Sequence, residues 1–293
     1  GTPVEIAERI FFEPDGTFAK VPNGRPDPLR PENQTVTEQA VRSGRVDLAA
    51  AWDADADRCF FFDENGEFVD GCYITALLAE ILARRHNGAA VIFDPRLIWA
   101  VEDRTTAAGG RPLLNRCGHS FIKERMRRED AVFGGEASAH YYIRRNFYTD
   151  NGMVPFLMVL EHLCASGQSM SAWVGELRER YPVSGEINFK FADVNLVPQA
   201  VQQVMDSRDS WGRWQMEEEI DGLSVRFLDS KGEPLWRFNL RKSNTEPVVR
   251  LNVESRGNSD VLRQSTQAVA ETLVKAGAAR DTRFRWEAEG VRS

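Results

Sequence analysis

Apolar positions along the chain keep different periods in different stretches, and the changes mark out its elements. The opening stretch has no period. Glu13-Pro14-Asp15-Gly16 and Val21 to Pro31 hold five prolines and two glycines, too many breakers for a helix or a central strand, so a loop is expected there. Positions 34–43 read as a helix. Val46-Asp47-Leu48-Ala49-Ala50-Ala51-Trp52 reads as a buried strand, Cys59-Phe60-Phe61-Phe62 as a second, and Asp63-Glu64-Asn65-Gly66 supplies an Asn-Gly turn. The acidic run Asp53-Ala54-Asp55-Ala56-Asp57-Arg58 therefore falls between strands, near a hairpin.

From Tyr73 to Arg85 the spacing becomes helical, with Ile74, Leu77, Leu78, Ile81 and Leu82 on one face. Beyond it, short apolar runs alternate with helical segments: strands at 90–93, 112–114 and 131–133, helices at about 98–108 and 119–128, then a Gly-Gly loop. Such alternation predicts a layered, largely parallel sheet. Helices are expected at 153–164 and 170–181, and Pro182 ends that pattern, so Tyr181-Pro182-Val183 reads as a domain boundary. Strands near 185–192, 223–228, 235–241 and 248–254, with helices near 195–207 and 258–275, predict a smaller α+β domain on an antiparallel sheet. Gly277 to Ser293 holds four arginines without a period and reads as a solvated tail.

Composition narrows the function classes. The 293 residues are 42% hydrophobic and 28% charged, which predicts ordinary globular packing. Acids exceed bases by 44 to 37, a net charge of −7, which argues against an extended nucleic-acid surface or a membrane-surface role. No apolar run approaches the roughly 20 residues that span a bilayer. Cys59, Cys72, Cys117 and Cys164 form no CxxC pair, so they suggest neither a cysteine zinc site nor a disulfide framework and fit a reducing cytoplasm.

Three loops carry candidate chemistry. Asp53, Asp55 and Asp57 alternate with small alanines; carboxylates this close repel unless a hard cation such as magnesium or calcium takes their oxygens. An EF-hand fits poorly, because Arg58 stands where that loop needs glycine, and a solvated acidic turn is the plain alternative. Gly134-Gly135-Glu136-Ala137-Ser138-Ala139-His140 follows a predicted strand. In an extended loop Glu136, Ser138 and His140 would point the same way and offer an acceptor, a hydroxyl and an imidazole to a polyhydroxylated ligand; an ordinary Gly-rich turn is the alternative. Arg241-Lys242-Ser243-Asn244-Thr245-Glu246-Pro247 joins two predicted strands. Its cations, hydroxyls and amides suit a phosphate, or else make a plain hairpin turn.

In this order the three loops resemble those of the α-D-phosphohexomutase superfamily: a DxDxDR metal loop, a GGExSxH sugar loop and an RxSNTEP phosphate loop, with similarity over residues 8–276. Phe12 to Phe18, Pro26 to Leu29, Gly118 to Met126 and Phe238 to Gly257 are similar to its phosphomannomutases. The resemblance implies a mixed-sheet α/β fold with an α+β C-terminal domain: 1–67 as the end of domain 2, 68–181 as domain 3, 182–276 as domain 4, and 277–293 as a tail. It also implies reversible, Mg²⁺-dependent interconversion of mannose 6-phosphate and mannose 1-phosphate through a phosphoserine and a hexose 1,6-bisphosphate. The partners would then be small hexose phosphates, with no nucleic acid and no membrane. Mannose against glucose preference and oligomeric state stay open.

Residue roles follow from the same resemblance. Asp53, Asp55 and Asp57 would hold Mg²⁺, and Arg58 would face the transferring phosphoryl group. Arg96 stands where related mutases carry a catalytic Lys; a guanidinium cannot serve as a base at its normal pKa, so it would supply electrostatic stabilisation. His119 and Lys123 would flank the reacting hydroxyl. Glu136 and Ser138 would bind the sugar's 3- and 4-hydroxyls with His140 close by. Arg241, Lys242, Ser243, Asn244, Thr245 and Arg250 would bind the phosphate that is not reacting. Ala54 and Ala56 stand where relatives commonly have Gly, and a positive φ at either would strain the metal loop. No Ser-His-Asn or Ser-His-Asp stretch occurs, so the phosphoserine is expected in a first domain outside this chain, and the chain alone is expected to be inactive.

Overall fold

The computed structural model describes residues 4–243 and 246–279. Asn244, Thr245 and most of the expected tail lie outside the described residues. Two compact units divide the chain: one comprises the residues up to Phe93 with Ala100–Leu113 and Gly118–Glu176, the other Asp94–Trp99, Leu114–Cys117 and the residues from Leu177 onward.

In the first unit the proline-rich stretch is an irregular loop, tied down by side chains of the helix that follows it. That helix, α1 (Pro31–Ser43), starts earlier than the spacing predicted, because Pro31 fills a first-turn position where no N–H is needed. Asn33 donates to the Arg25 and Asp27 carbonyls at 2.7 and 2.9 Å, and buried Gln34 to the Pro28 carbonyl at 2.9 Å. Three antiparallel strands follow, β1 (Ala49–Trp52), β2 (Cys59–Phe62) and β3 (Phe68–Val69), in the order β1-β2-β3. All four residues of β2 are buried, and Trp52 pairs with Cys59 across the acidic loop.

A five-stranded sheet carries the rest of this unit. The elements in chain order are α2 (Gly71–Arg85), β4 (Ala90–Phe93), α3 (Trp99–Ala107), β5 (Arg111–Leu114), α4 (His119–Glu129), β6 (Phe133–Gly135), β7 (Tyr141–Ile143), β8 (Thr149–Asp150), α5 (Met153–Ser166) and α6 (Met170–Arg180), of which Trp99, Leu114 and the end of α6 from Leu177 count with the second unit. The strand order is β5-β4-β6-β7-β8. The expectation of a largely parallel sheet fails at one edge: β4 and β6 are parallel, but β6, β7 and β8 pair antiparallel. Connections of a few residues can join only antiparallel neighbours, and β7 and β8 are too short to show a period in sequence. Gly134 and Gly135 also lie inside β6 rather than in a loop. A Cβ on Gly135 would stand 2.5 Å from Thr75 Cγ2, so glycine lets α2 press against the strand.

The second unit is an antiparallel sheet, as expected. It holds β9 (Val183–Lys190), α7 (Leu196–Ser207), β10 (Arg213–Met216), β11 (Leu223–Leu228), β12 (Pro234–Lys242), β13 (Val248–Ser255) and α8 (Ser259–Lys275), with strand order β10-β11-β12-β13-β9. Both helices contribute to one core with the sheet, where Phe227 and Trp236 stack at 3.9 Å. Edge strand β10 was not expected, since Arg-Trp-Gln-Met is mostly exposed and too short for a clear alternation. Residues 277–279 correct the reading of a solvated tail: Ala278 is buried in the core and the Ala279 N–H donates to the Lys190 carbonyl at 2.7 Å. No described helix is long and apolar enough to cross a membrane.

Candidate functional site

In the first unit the acidic loop between β1 and β2 lies against the turn between β6 and β7. An isolated backbone bridge joins Arg58 to His140, and the Gly152 N–H donates to the Ala56 carbonyl at 3.1 Å. Carboxylate oxygens of Asp53, Asp55 and Asp57 lie within 4.8 Å of one another. Burial, together with the charges of Asp53, Asp55 and Asp150, raises the Asp57 carboxyl to about 6, with Arg58 offsetting part of the push. Such a group gains from a cation, so the three carboxylates fit the expected metal. Arg58 already holds one of them: its Nε reaches Asp53 Oδ2 at 2.7 Å, its backbone N–H donates to Asp53 Oδ1 at 3.2 Å, and Nη1 meets Asp27 at 3.1 Å. Ala56 sits at φ +57°, the strained conformation foreseen for this loop, whereas Ala54 does not.

The stretch from Glu136 to His140 is not extended. It turns back on itself: the Ala139 N–H donates to the Glu136 carbonyl and the Glu136 N–H to the His140 carbonyl, each at 3.0 Å, with Ala139 at φ +67°. The turn still brings the three polar side chains together. His140 Nδ1 is 3.0 Å from Ser138 Oγ and 3.4 Å from Glu136 Oε2. Glu136 is buried and accepts from the Tyr142 hydroxyl at 2.7 Å and the Gly118 N–H at 3.1 Å, so its carboxylate is held in place. Burial, then the Glu136 charge, keeps Tyr142 well above the ordinary phenol range and therefore a donor.

His119 and Lys123 stand one turn apart on α4, and Asp150 on β8 meets both. His119 Nδ1 abuts Asp150 Oδ2, and Lys123 Nζ is 2.7 Å from Oδ1. Burial would raise the Asp150 carboxyl, but the Lys123 hydrogen bond and the His119 charge outweigh it and hold the group below its usual range. The rings of His119 and His140 meet edge to face, their centroids 4.7 Å apart. One unit thus gathers Asp53, Asp55, Asp57, Arg58, His119, Lys123, Glu136, Ser138 and His140.

In the second unit the expected cations Arg96 and Arg250 share the Glu186 carboxylate, and Arg241 pairs with Asp221. Arg96 is buried and forms a bidentate pair with Asp94, at 2.9 and 2.7 Å, and lies 3.7 Å from Glu186, which Arg250 approaches at 3.9 Å. Arg241 meets Asp221 at 3.3 Å, and the same Asp221 oxygen accepts from the Cys117 N–H at 3.1 Å. Lys242 is exposed at the end of β12, and the Ser243 N–H donates to the Val248 carbonyl at 2.8 Å.

In each unit some of the residues around these groups gave no sequence signal. Arg237 is 1% exposed and donates to the Arg96 and Pro95 carbonyls at 3.1 and 3.0 Å, and it pairs with Glu254 and Glu217 at 2.8 Å each. Glu254 in turn accepts from the Ile98 and Trp99 N–H groups at 2.8 and 3.2 Å. Together they fix the backbone of the segment carrying Arg96. Burial pushes the Glu254 carboxyl up against the pull of Arg237. Asp150 was missed because a two-residue strand carries no period, and only the β7–β8 pairing, Tyr142 opposite Asp150, brings it in. Asp27, which meets Arg58, lies in the Pro26-Asp27-Pro28-Leu29 stretch that carries part of the resemblance.

Comparison with known proteins agrees with the motif order. Residues 4–66 match the description "Phosphoglucomutase/phosphomannomutase, alpha/beta/alpha domain II", 70–181 match that family's alpha/beta/alpha domain III, and 186–272 its C-terminal domain. A phosphomannomutase of Salmonella montevideo is 47% identical over 273 residues, which is 93% of this chain and 57% of that protein. A protein of Xanthomonas campestris named for phosphohexose mutases is 46% identical over 266 residues, 90% of this chain and 56% of its own length. The chain thus spans little more than half the length of the curated relatives it matches. The crystal structure of a phosphoglucomutase/phosphomannomutase family protein from Burkholderia thailandensis superposes with a TM-score of 0.73 at 26% identity, covering 92% of this chain and 56% of that one. Matched through domains II, III and IV in order, the chain belongs to the phosphoglucomutase/phosphomannomutase family.

Proposed function

We propose that this chain supplies the metal, sugar and phosphate sites of a phosphomannomutase, which interconverts mannose 6-phosphate and mannose 1-phosphate through a phosphoserine and a hexose 1,6-bisphosphate. The observation that carries the reading is the backbone bridge between Arg58 and His140, by which the acidic loop and the Glu136–His140 turn share one wall.

Asp53, Asp55 and Asp57 would hold Mg²⁺, which when bound neutralises charge around the phosphoserine and its transferring group. Arg58, fixed by Asp53 and Asp27, would face that group with a guanidinium whose direction is set by two carboxylates. His119, with Nδ1 against Asp150, would take the proton of the attacking sugar hydroxyl on Nε2 and return it in the reverse half-reaction. Lys123 would lie beside the same oxygen. Glu136 and Ser138 would bind O3 and O4, which are arranged alike in mannose and glucose. These contacts also suit a substrate that turns over between half-reactions, because they can persist while C1 and C6 exchange. Arg96 would stabilise charge rather than move a proton, since the Asp94 carboxylate keeps its guanidinium protonated and the Arg237–Glu254 pair fixes its backbone. Arg241, Lys242, Ser243, Asn244, Thr245 and Arg250 would bind the idle phosphate.

The test is a mutase assay on the natural full-length protein with mannose 1-phosphate, with and without magnesium, and with glucose 1-phosphate as competitor. Magnesium-dependent turnover favouring mannose is expected. A preference for glucose would make the protein a phosphoglucomutase, and no turnover of either sugar would overturn the reading. The 293-residue chain, assayed alone, is expected to be silent for want of a Ser-His-Asn segment.

A further inference from the structure

We infer that Asp57, His119, His140 and Asp150 form a second cation site, for a borderline transition metal such as Zn²⁺, which shares Asp57 with the all-carboxylate loop. Each of the four offers one ligand atom, and all four atoms lie within 4.8 Å of one another in a single compact unit. Around a tetrahedral zinc with bonds of about 2.0–2.2 Å, ligand atoms sit roughly 3.3–3.5 Å apart. Side-chain movements on the order of 1 Å would therefore close the shell.

The donor set separates this cluster from its neighbour. Asp53, Asp55 and Asp57 offer oxygen alone, the preference of magnesium, whereas two imidazoles with two carboxylates favour zinc, cobalt or nickel. Two carboxylate charges also balance a divalent ion when both imidazoles are neutral.

The surroundings are those of a prepared shell. Ligating histidines commonly have the second ring nitrogen fixed by an outer partner, which sets tautomer and ring direction. His140 matches: Nδ1 contacts Ser138 Oγ at 3.0 Å and Glu136 Oε2 at 3.4 Å, while Nε2 faces Asp57 Oδ1 at 3.7 Å. Glu136 is itself held by Tyr142 and the Gly118 N–H. For Asp150, Oδ1 is held by Lys123 and Oδ2 abuts His119 Nδ1. The Asp150 side chain is 9% exposed, so water does not readily serve that oxygen. The rival reading is two ordinary His–Asp ion pairs. In that reading each imidazole donates an N–H to its carboxylate, whereas a metal takes the bare ring nitrogen.

The consequence for catalysis rests on the mutase reading: a bound Zn²⁺ would occupy His119 and Asp57 together and inhibit turnover. The site does not depend on that reading and can be tested with metal alone. The 293-residue chain, stripped with chelator, is titrated with Co²⁺ while the visible absorption of the ion is followed. One Co²⁺ per chain, with the intense bands of four-coordinate geometry and displacement by an equivalent of Zn²⁺, is expected. His119→Gln and His140→Gln should each weaken Co²⁺ binding at least tenfold, and Glu136→Gln by about tenfold through the outer shell. The double variant Asp53→Asn/Asp55→Asn should retain it within about threefold. Binding unchanged in the histidine variants, or lost only in the double aspartate variant, assigns the metal to the acidic loop and overturns the inference. X-ray absorption at the zinc edge of the unaltered chain gives an independent reading should a variant fail to fold: two imidazoles in the first shell support the site, and none overturns it.

Discussion

The charges around Asp57 in one unit and around Arg237 in the other are handled in opposite ways. Arg237 lies between Glu254 and Glu217, and each of these charges is met at 2.8 Å in the unit built on the five-stranded antiparallel sheet. Asp57 lies beside Asp53, Asp55 and Asp150, is partly open to solvent, and is left with its carboxyl raised to about 6. The contrast separates structural from functional electrostatics. A compensated buried network fixes one geometry, here the backbone of the Arg96 segment. A cluster with surplus negative charge stores an affinity for a cation that the fold does not itself satisfy.

The largest effect should come from breaking the compensated side. Arg237→Met leaves Glu254, which is 1% exposed, without its cation, while Glu217 keeps Arg226, and removal of one partner from such a buried pair costs about 3–5 kcal/mol. Urea unfolding of the chain measures it. A loss under about 1 kcal/mol would mean that the network is not closed as described.

The surplus side should respond to pH in the reverse sense. The Asp57 carboxyl sits near 6 in the folded, metal-free chain against an ordinary 3.8, so the folded state binds more protons in that window and the contribution of this group to stability falls as pH rises from about 4 to 6. Asp57→Asn should therefore gain stability relative to the parent across the same window, with the gap complete above it, and saturating Mg²⁺ should narrow the gap by stabilising only the parent. Thermal midpoints at pH 4, 5, 6 and 7 follow this, and a gap that does not change with pH would contradict the raised carboxyl.

The smallest effect is expected at Ala56. Its φ of +57° costs about 1–2 kcal/mol relative to glycine, against a gain of about 0.4–1 kcal/mol from the stiffer unfolded chain. Ala56→Gly should thus stabilise the metal-free chain by somewhat under 1 kcal/mol and strengthen magnesium binding severalfold, as calorimetric titration would read. Weaker binding would show that the alanine is not strained there.

Much of this was legible in the linear chain. Cys59–Phe62 is a fully buried strand because four apolar residues in a row leave no polar face, and the Asn65-Gly66 turn fixed its hairpin. The helix over His119–Glu129 was recognisable by its period. The turn from Glu136 to His140 was misread as extended because its closure depends on Ala139 at positive φ, which alanine does not advertise. The antiparallel edge of the mixed sheet was missed for a related reason: strands of two or three residues are held by their neighbours rather than by their own pattern.

Local chemistry written along the chain, namely the alternating aspartates and the apolar periods, determined most of the elements, the fold class and the three candidate loops. Long-range pairing alone decided which groups meet: Asp150 reaches His119 and Lys123 only because β8 pairs with β7, and Glu254 reaches Ile98 and Trp99 across 155 or more residues. A hydrogen bond or ion pair of that kind depends on distances of about 3 Å between residues far apart in sequence. No local propensity encodes such distances, and only the packed fold sets them.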